Sequence, residues 1–334
     1  MKYVLIHIIL ALLCVKYSLA QDPQFSQFYS APIYLNPAFA GNTTQGRAVL
    51  NYRNQWPAMP GQFVSYAASF DYNISSINSG LAVGIQRDQA GTANLRYTNI
   101  SVNYSYTVRI SRTLAFKPGI YFSYTSRDVN QNNLVFGDQL IYNNPISGSV
   151  NQFAPEPIQY PDLGFGYIFY QKQWWAGMSF KHVNRPNQSL IDQVVRLPMR
   201  FSMHVGYNYV LKRNTKKEEV SSATFVVNYK SQAKWDQLDL GIYFRYRVLT
   251  TGVFYRGLPT KGNGYQQPNN DAFIALLGFK YKDFGMAYSY DLTTSKLITN
   301  SGGSHEVSLV WEFASEREKR KRKRSRFLIP CAKF

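Results

Sequence analysis

Cysteine is almost missing. The 334 residues hold two, Cys14 and Cys331. Residues 1–20 read as an export signal: Lys2, an apolar core from Tyr3 to Val15, then Ser18-Leu19-Ala20 ahead of Gln21, the small-x-small pattern that signal peptidase cuts after. Leu13 before Cys14 is too large for a lipobox, so Cys14 leaves with the signal and Cys331 has no partner for an internal disulfide, even in oxidising surroundings. Histidine is scarce too. His7 also leaves, and His182, His204 and His305 stand at no metal-binding spacing. His305-Glu306 lacks the second histidine of a zinc-protease helix, Gly164-Phe165-Gly166 has no third glycine for a nucleotide loop, and no serine sits in a nucleophile elbow. A Ser/His/Asp grouping distant in sequence stays open. The expectation is a protein that is not an enzyme and carries no cofactor or metal.

Also missing, after Ala20, is any apolar run long enough for a membrane helix. A mean hydropathy of −0.30 looks soluble, but a barrel with a polar lumen averages out its hydropathy. What the chain has instead is alternation. In Leu238-Asp239-Leu240-Gly241-Ile242-Tyr243-Phe244-Arg245-Tyr246-Arg247, the apolar residues and Tyr246 fall on one face, and Asp, Gly, Tyr243 and the arginines on the other. A strand with lipid on one side and a polar lumen on the other requires that pattern. Fourteen stretches have strand character: 45–54, 62–73, 79–88, 96–110, 112–126, 161–170, 173–183, 199–211, 221–231, 237–247, 249–257, 272–281, 283–291 and 304–313. The predicted fold is all-β, a transmembrane antiparallel β-barrel of about 14 strands, roughly 12–16, with both termini periplasmic.

The connections support that orientation. The second, fourth, sixth, tenth and twelfth are tight, at Asn73–Asn78, Ile110–Arg112, Gln171–Lys172, Val248 and Lys282. The longest, Arg127–Tyr160, Asn184–Pro198, Leu258–Asp271 and Leu292–Gly303, are all odd-numbered, as short periplasmic turns and long outer loops demand. Lys212–Val220 is the exception. Lipid-facing positions are Leu81, Val83 and Ile85; Ile100, Val102, Tyr104, Tyr106 and Val108; Phe284, Met286, Tyr288 and Tyr290; and Val307, Leu309, Trp311 and Phe313. An aromatic content of 16% fits girdles at headgroup depth.

Acidic residues are the last shortage, 19 against 37 Lys and Arg. Residues 315–334 are the most basic part, with nine Lys and Arg against Glu316 and Glu318. In an exported protein the run Lys319-Arg320-Lys321-Arg322-Lys323-Arg324 excludes a nucleic-acid role and reads as a periplasmic arm for an acidic partner or inner-leaflet headgroups, or as a solvated stop after the last strand. The expected organisation is a signal at 1–20, a periplasmic or lumenal segment at 21–44, a barrel at 45–314 and a basic periplasmic tail at 315–334. Residues 21–42 carry Phe25, Phe28, Tyr29, Tyr34 and Phe39, aromatics costly to leave exposed, so the segment is expected to plug the lumen or to bind a partner.

The opening Gln21-Asp22-Pro23-Gln24-Phe25-Ser26-Gln27-Phe28-Tyr29 with Leu35-Asn36-Pro37-Ala38-Phe39-Ala40-Gly41 strongly resembles the start of the PorP/SprF family, Bacteroidetes outer-membrane components of type IX secretion and gliding motility. The likeness continues in Tyr52-Arg53-Asn54-Gln55-Trp56-Pro57, Arg87-Asp88-Gln89-Ala90-Gly91, Phe136-Gly137-Asp138-Gln139, His182-Val183-Asn184-Arg185-Pro186-Asn187-Gln188 and Gly302-Gly303-Ser304-His305-Glu306-Val307-Ser308-Leu309. At the end, Cys331-Ala332-Lys333-Phe334 has Ala where the family pattern has Pro. The resemblance implies an outer-membrane barrel that supports secretion or surface anchoring of a cargo, such as a large adhesin with a type IX C-terminal domain, and that associates with periplasmic secretion and motility components and outer-membrane lipid. The alternative is an outer-membrane solute channel or hydrophobic-solute transporter. Candidate lumen or partner contacts are Phe25, Phe28, Tyr29, Asn36, Pro37, Gly41, Arg53, Trp56, Arg87, Asp88, Asn184 and Arg185; Lys319, Arg320, Lys321, Arg322, Lys323 and Arg324 are candidate periplasmic contacts. Asn36-Pro37 and Gly41 are expected to bend the segment from lumen to wall. Arg53 and Arg87 with Asp88 are expected to point inward and hold it.

Overall fold

A computed structural model describes residues 22–130, 155–191, 193–215, 219–258, 269–294, 301–315 and 329–331. Alternation carries most of the chain into strands: β1 (Gly46–Gln55), β2 (Phe63–Ile74), β3 (Ser79–Ala90), β4 (Leu95–Tyr106), β5 (Val108–Arg109), β6 (Ala115–Asp128), β7 (Ile158–Tyr170), β8 (Trp174–Lys181), β9 (Arg200–Arg213), β10 (Glu219–Gln232), β11 (Trp235–Tyr246), β12 (Leu249–Leu258), β13 (Asn269–Tyr281), β14 (Phe284–Thr293) and β15 (Ser304–Phe313). β4 and the two-residue β5 both pair with β6 on either side of Thr107 and form one stave, so the wall is a closed barrel of fourteen antiparallel staves. Closure runs through β1 and β15, paired from Gly46↔Phe313 to Gln55↔Ser304.

The expected lipid face is the observed one. Ile100, Val102 and Leu81 are 57%, 49% and 43% exposed, while Asn99, Ser101, Asn103 and Ser105 between them are buried. Val307 and Leu309 share the outward side but are half-buried among neighbours. Most expected boundaries shift by one to three residues, and two of the shifts have visible causes. The fifth stave, β6, starts at Ala115 rather than 112, because the Ser111 hydroxyl accepts the amides of Thr113 and Leu114 at 3.2 and 3.1 Å and holds a turn there. The connection at 212–220 shrinks because β9 runs to Arg213 and β10 begins at Glu219, where Arg245 pairs with Glu219 at 2.7 Å.

The even number of staves brings Gly46 and Phe313 to one rim, the turn end, with the long connections at the other, the loop end. The chain ahead of β1 doubles back through the lumen. Asn73 Nδ2 donates to the Thr43 carbonyl at the turn end, whereas Asp22 meets His182 and Arg200 at the loop end.

Candidate functional site

A loop can be buried only if its backbone polar groups find partners, and residues 22–42 meet that demand with short turns and with side chains of the wall. Pro32 starts a single helical turn, Pro32–Leu35. Asn36 is extended (φ −156°), as the proline after it requires, and its Oδ1 accepts the Ala38 amide at 2.9 Å to cap a 3-10 turn, Pro37–Phe39. The Asn36 amide nitrogen donates to the Met178 carbonyl at 2.9 Å and lies 3.2 Å from His204 Nε2. From the wall, Lys117 Nζ and Ser105 Oγ each donate to the Ala40 carbonyl at 2.8 Å, and Ser179 Oγ donates to Leu35 O at 3.0 Å. Gly41 turns the chain with φ +64°, and a Cβ there would stand 2.6 Å from Gly80 Cα.

The aromatics singled out in the sequence are all in the bore. Phe25, Phe28, Tyr29 and Phe39 are 1%, 2%, 4% and 0% exposed. Tyr29 Oη accepts the Trp175 indole N–H at 2.9 Å, and Phe39 stacks on His204 with ring centroids 5.4 Å apart. Pro37 is buried as well.

Charge organises two further layers. Midway, Arg53 pairs with Asp291 at 3.0 Å and Glu306 at 3.2 Å, while Arg256 pairs with Asp291 and Asp239, each at 3.0 Å. Ser26 sits at their centre. Its hydroxyl bonds Asp291, Arg53 and Arg256, and its amide and that of Gln27 donate to the two Glu306 oxygens at 2.7 and 3.0 Å. Above this, Asp22 lies 2.7 Å from His182 Nε2 and 2.9 Å from Arg200, with Asp162 2.8 Å from His182 Nδ1. Burial opposes charge on both Asp22 and His182, yet the facing charges prevail: His182 and Arg200 hold the Asp22 carboxyl below the usual carboxylate range, and Asp22 and Asp162 raise the His182 imidazole to about 9. Tyr34, whose hydroxyl accepts from Arg200 at 2.8 Å, is pushed by burial up to about 12 and stays neutral.

At the turn end the tail returns. The Ile329 amide donates to Asn42 Oδ1 at 3.0 Å, Asn42 Nδ2 lies 3.5 Å from Cys331 Sγ, and both tail residues are buried against the foot of the segment. At the loop end, Asp22, Pro23 and Gln24 floor a cavity of about 460 Å³ whose walls include Trp56, Phe63, Asp88, Tyr97, Arg127, Tyr160 and Trp235.

Arg53 is inward as expected, but Arg87 is a correction. It is exposed on the outward face, because it shares the parity of Leu81, Val83 and Ile85; Asp88 alone of that pair points in, and it binds Ser65 of the wall rather than the segment. Asn184 and Arg185 are likewise outside the lumen. Asn184 accepts the Leu163 amide at 3.2 Å and donates to the Pro161 carbonyl at 2.8 Å, bracing an outer connection, and Arg185 is exposed with φ 43°. The same motif contributes His182 instead. Trp56 borders the mouth, its ring edge-on to Phe63 at 5.5 Å. Lys319 to Arg324 lie outside the described residues. Sequence reasoning missed Asp22 and Ser26 as the segment's charged and polar anchors and Arg200, Arg256 and Asp291 as their partners on the wall; inward parity of Arg256 and Asp291 was the available signal.

No curated protein matches the chain. Among solved structures, the Acinetobacter baumannii outer membrane protein Omp33 is 6% identical, covering 82% of this chain and 100% of its own with a TM-score of 0.45. The P. putida toluene transporter TodX is 11% identical over 84% of this chain and 93% of its own, TM-score 0.46. A Pseudomonas aeruginosa FadL homologue is 12% identical over 80% and 90%, TM-score 0.43. The family model for the type IX secretion system membrane protein PorP/SprF matches residues 18–311, which take in the lumenal segment and nearly the whole wall, and the chain belongs to that family.

Proposed function

We propose that this outer-membrane barrel is the partner of an exported cargo in type IX secretion, supporting secretion and surface anchoring of a large adhesin through the cargo's C-terminal signal domain. The observation that carries the reading is the filled bore. A segment fixed by paired charges and buried aromatics along its length suits a rigid docking body at the cell surface, with the turn end toward periplasmic secretion and motility components. The apolar outward faces hold the barrel in lipid, and the reading assigns the chain no catalytic step.

The test is to cross-link the tagged barrel in living cells, extract it in mild detergent and map what is joined to it. One secreted protein, joined through its C-terminal domain and lost when that domain is removed, is the expected result. Steady ion conductance or solute uptake by the intact purified barrel in liposomes, with no such protein attached, overturns the reading in favour of a channel.

A further inference from the structure

The mouth at the loop end is a cup, closed below by Asp22–Gln24, and its lining differs from the layers beneath it. In the deeper layer Arg53 and Arg256 are each ion-paired. At the rim, strand register sets Asp88 opposite Tyr97 and Tyr97 opposite Arg127, so three inward side chains form a row across β3, β4 and β6. Two interstrand spacings of about 4.8 Å put the backbones of Asp88 and Arg127 roughly 10 Å apart, with a phenol ring between them. Neither charge has an ion-pair partner among the described residues. Asp88 accepts from the Ser65 hydroxyl, and Arg127 donates to the Gln188 carbonyl and Oε1 at 3.4 and 2.7 Å.

The cup also presents aromatic surface that lipid does not cover. Trp235 and Phe63 have inward parity, with Asp239 and Ser65 buried further down the same faces, yet they are 49% and 37% exposed. Trp235 belongs to β11, seven positions round the wall from β3, and so stands across the mouth from the charged row. An apolar solute has no use for an anion and a cation flanking a tyrosine. An extended peptide does: residues i and i+2 lie on one face about 7 Å apart, within side-chain reach of both charges, while residue i+1 points the other way, toward the opposite wall.

We propose that this cup docks an extended segment of the exported partner carrying a basic and an acidic residue on either side of an apolar one, the base on Asp88, the acid on Arg127 and the apolar side chain toward Trp235. The proposal deepens the secretion-partner reading and rests on it. The probes are acetyl-Lys-Leu-Glu-amide and its reverse, acetyl-Glu-Leu-Lys-amide, against neutral acetyl-Gln-Leu-Gln-amide, titrated by saturation-transfer NMR into the purified full chain in detergent. A charged peptide is expected to bind about tenfold more tightly than the neutral one, and Asp88→Asn or Arg127→Gln to bring that ratio below about threefold with unfolding unchanged. Equal affinity for charged and neutral peptides overturns the proposal, as does a ratio that survives in both variants or displacement by benzyl alcohol regardless of charge. In cells, cargo that still cross-links normally to the double variant overturns it too and leaves the secretion-partner reading standing; cargo that never joins the intact barrel removes that reading instead.

Discussion

Arg256 is among the largest fully buried side chains, and it reaches Asp239, Asp291 and Ser26 at once. Arg256→Met keeps much of the volume but leaves Asp291 to Arg53 alone and Asp239 to the more distant Lys230, at 3.8 Å, so it is expected to cost about 3–5 kcal/mol. A lower denaturant midpoint and loss of the compact band on unheated gels would register this; an unchanged unfolding curve would refute it. His182 gives a pH signature. Because its folded pKa, about 9, lies above the ordinary value of 6.5, the stability it contributes is full below about pH 6.5 and disappears as pH climbs through about 9. Asp22, held low, contributes above the usual carboxylate range and loses its share only in acid. Melting temperatures across pH 6–10 are therefore expected to fall more steeply for the wild type than for His182→Gln, and parallel slopes would count against the pairing. Parity made much of this layer legible: Asp239 and Asp291 fall on the inward face of their strands in the sequence itself. Parity also excludes Arg87. It cannot say that Ser26 meets Asp291, 265 residues away, since wall curvature decides which inward side chains face one another.

Strands and the lumenal segment differ in how far the sequence discloses them. The stretch expected at 304–313 is the observed Ser304–Phe313, and 249–257 gains one residue, because two-residue alternation continues to the rim. Residues 22–42 have no period at all. Prolines and Gly41 announce bends, but the path depends on partners in seven or more distant strands. One clue was present in the wall: glycines inside strands mark close backbone approach. At Gly119 in β6 a Cβ would stand 2.5 Å from the Ala38 nitrogen. Gly119→Val is thus expected to leave the strands intact while pushing Pro37–Phe39 off the wall, at about 1–3 kcal/mol. Faster hydrogen exchange confined to residues 36–41 would show it; exchange unchanged there would mean that the contact is slack.

For the molecule as a whole, the decisive comparison is the barrel with and without its contents. Deleting residues 22–42 removes Asp22 from His182 and Arg200, and Ser26 from Arg53, Arg256 and Glu306. It is expected to abolish cargo retention or barrel assembly, and any barrel that inserts is expected to conduct ions where the intact one does not. A deletion strain with normal barrel levels and normal surface cargo refutes that role. The ion pairs also bear on how the cylinder is held shut. Arg53 belongs to β1 and Glu306 to β15, the first and last staves, and Ser26 is held by both. The joint that shuts the cylinder is thereby latched from within by the strand-less rod, which stands inside the staves like a mandrel left in place.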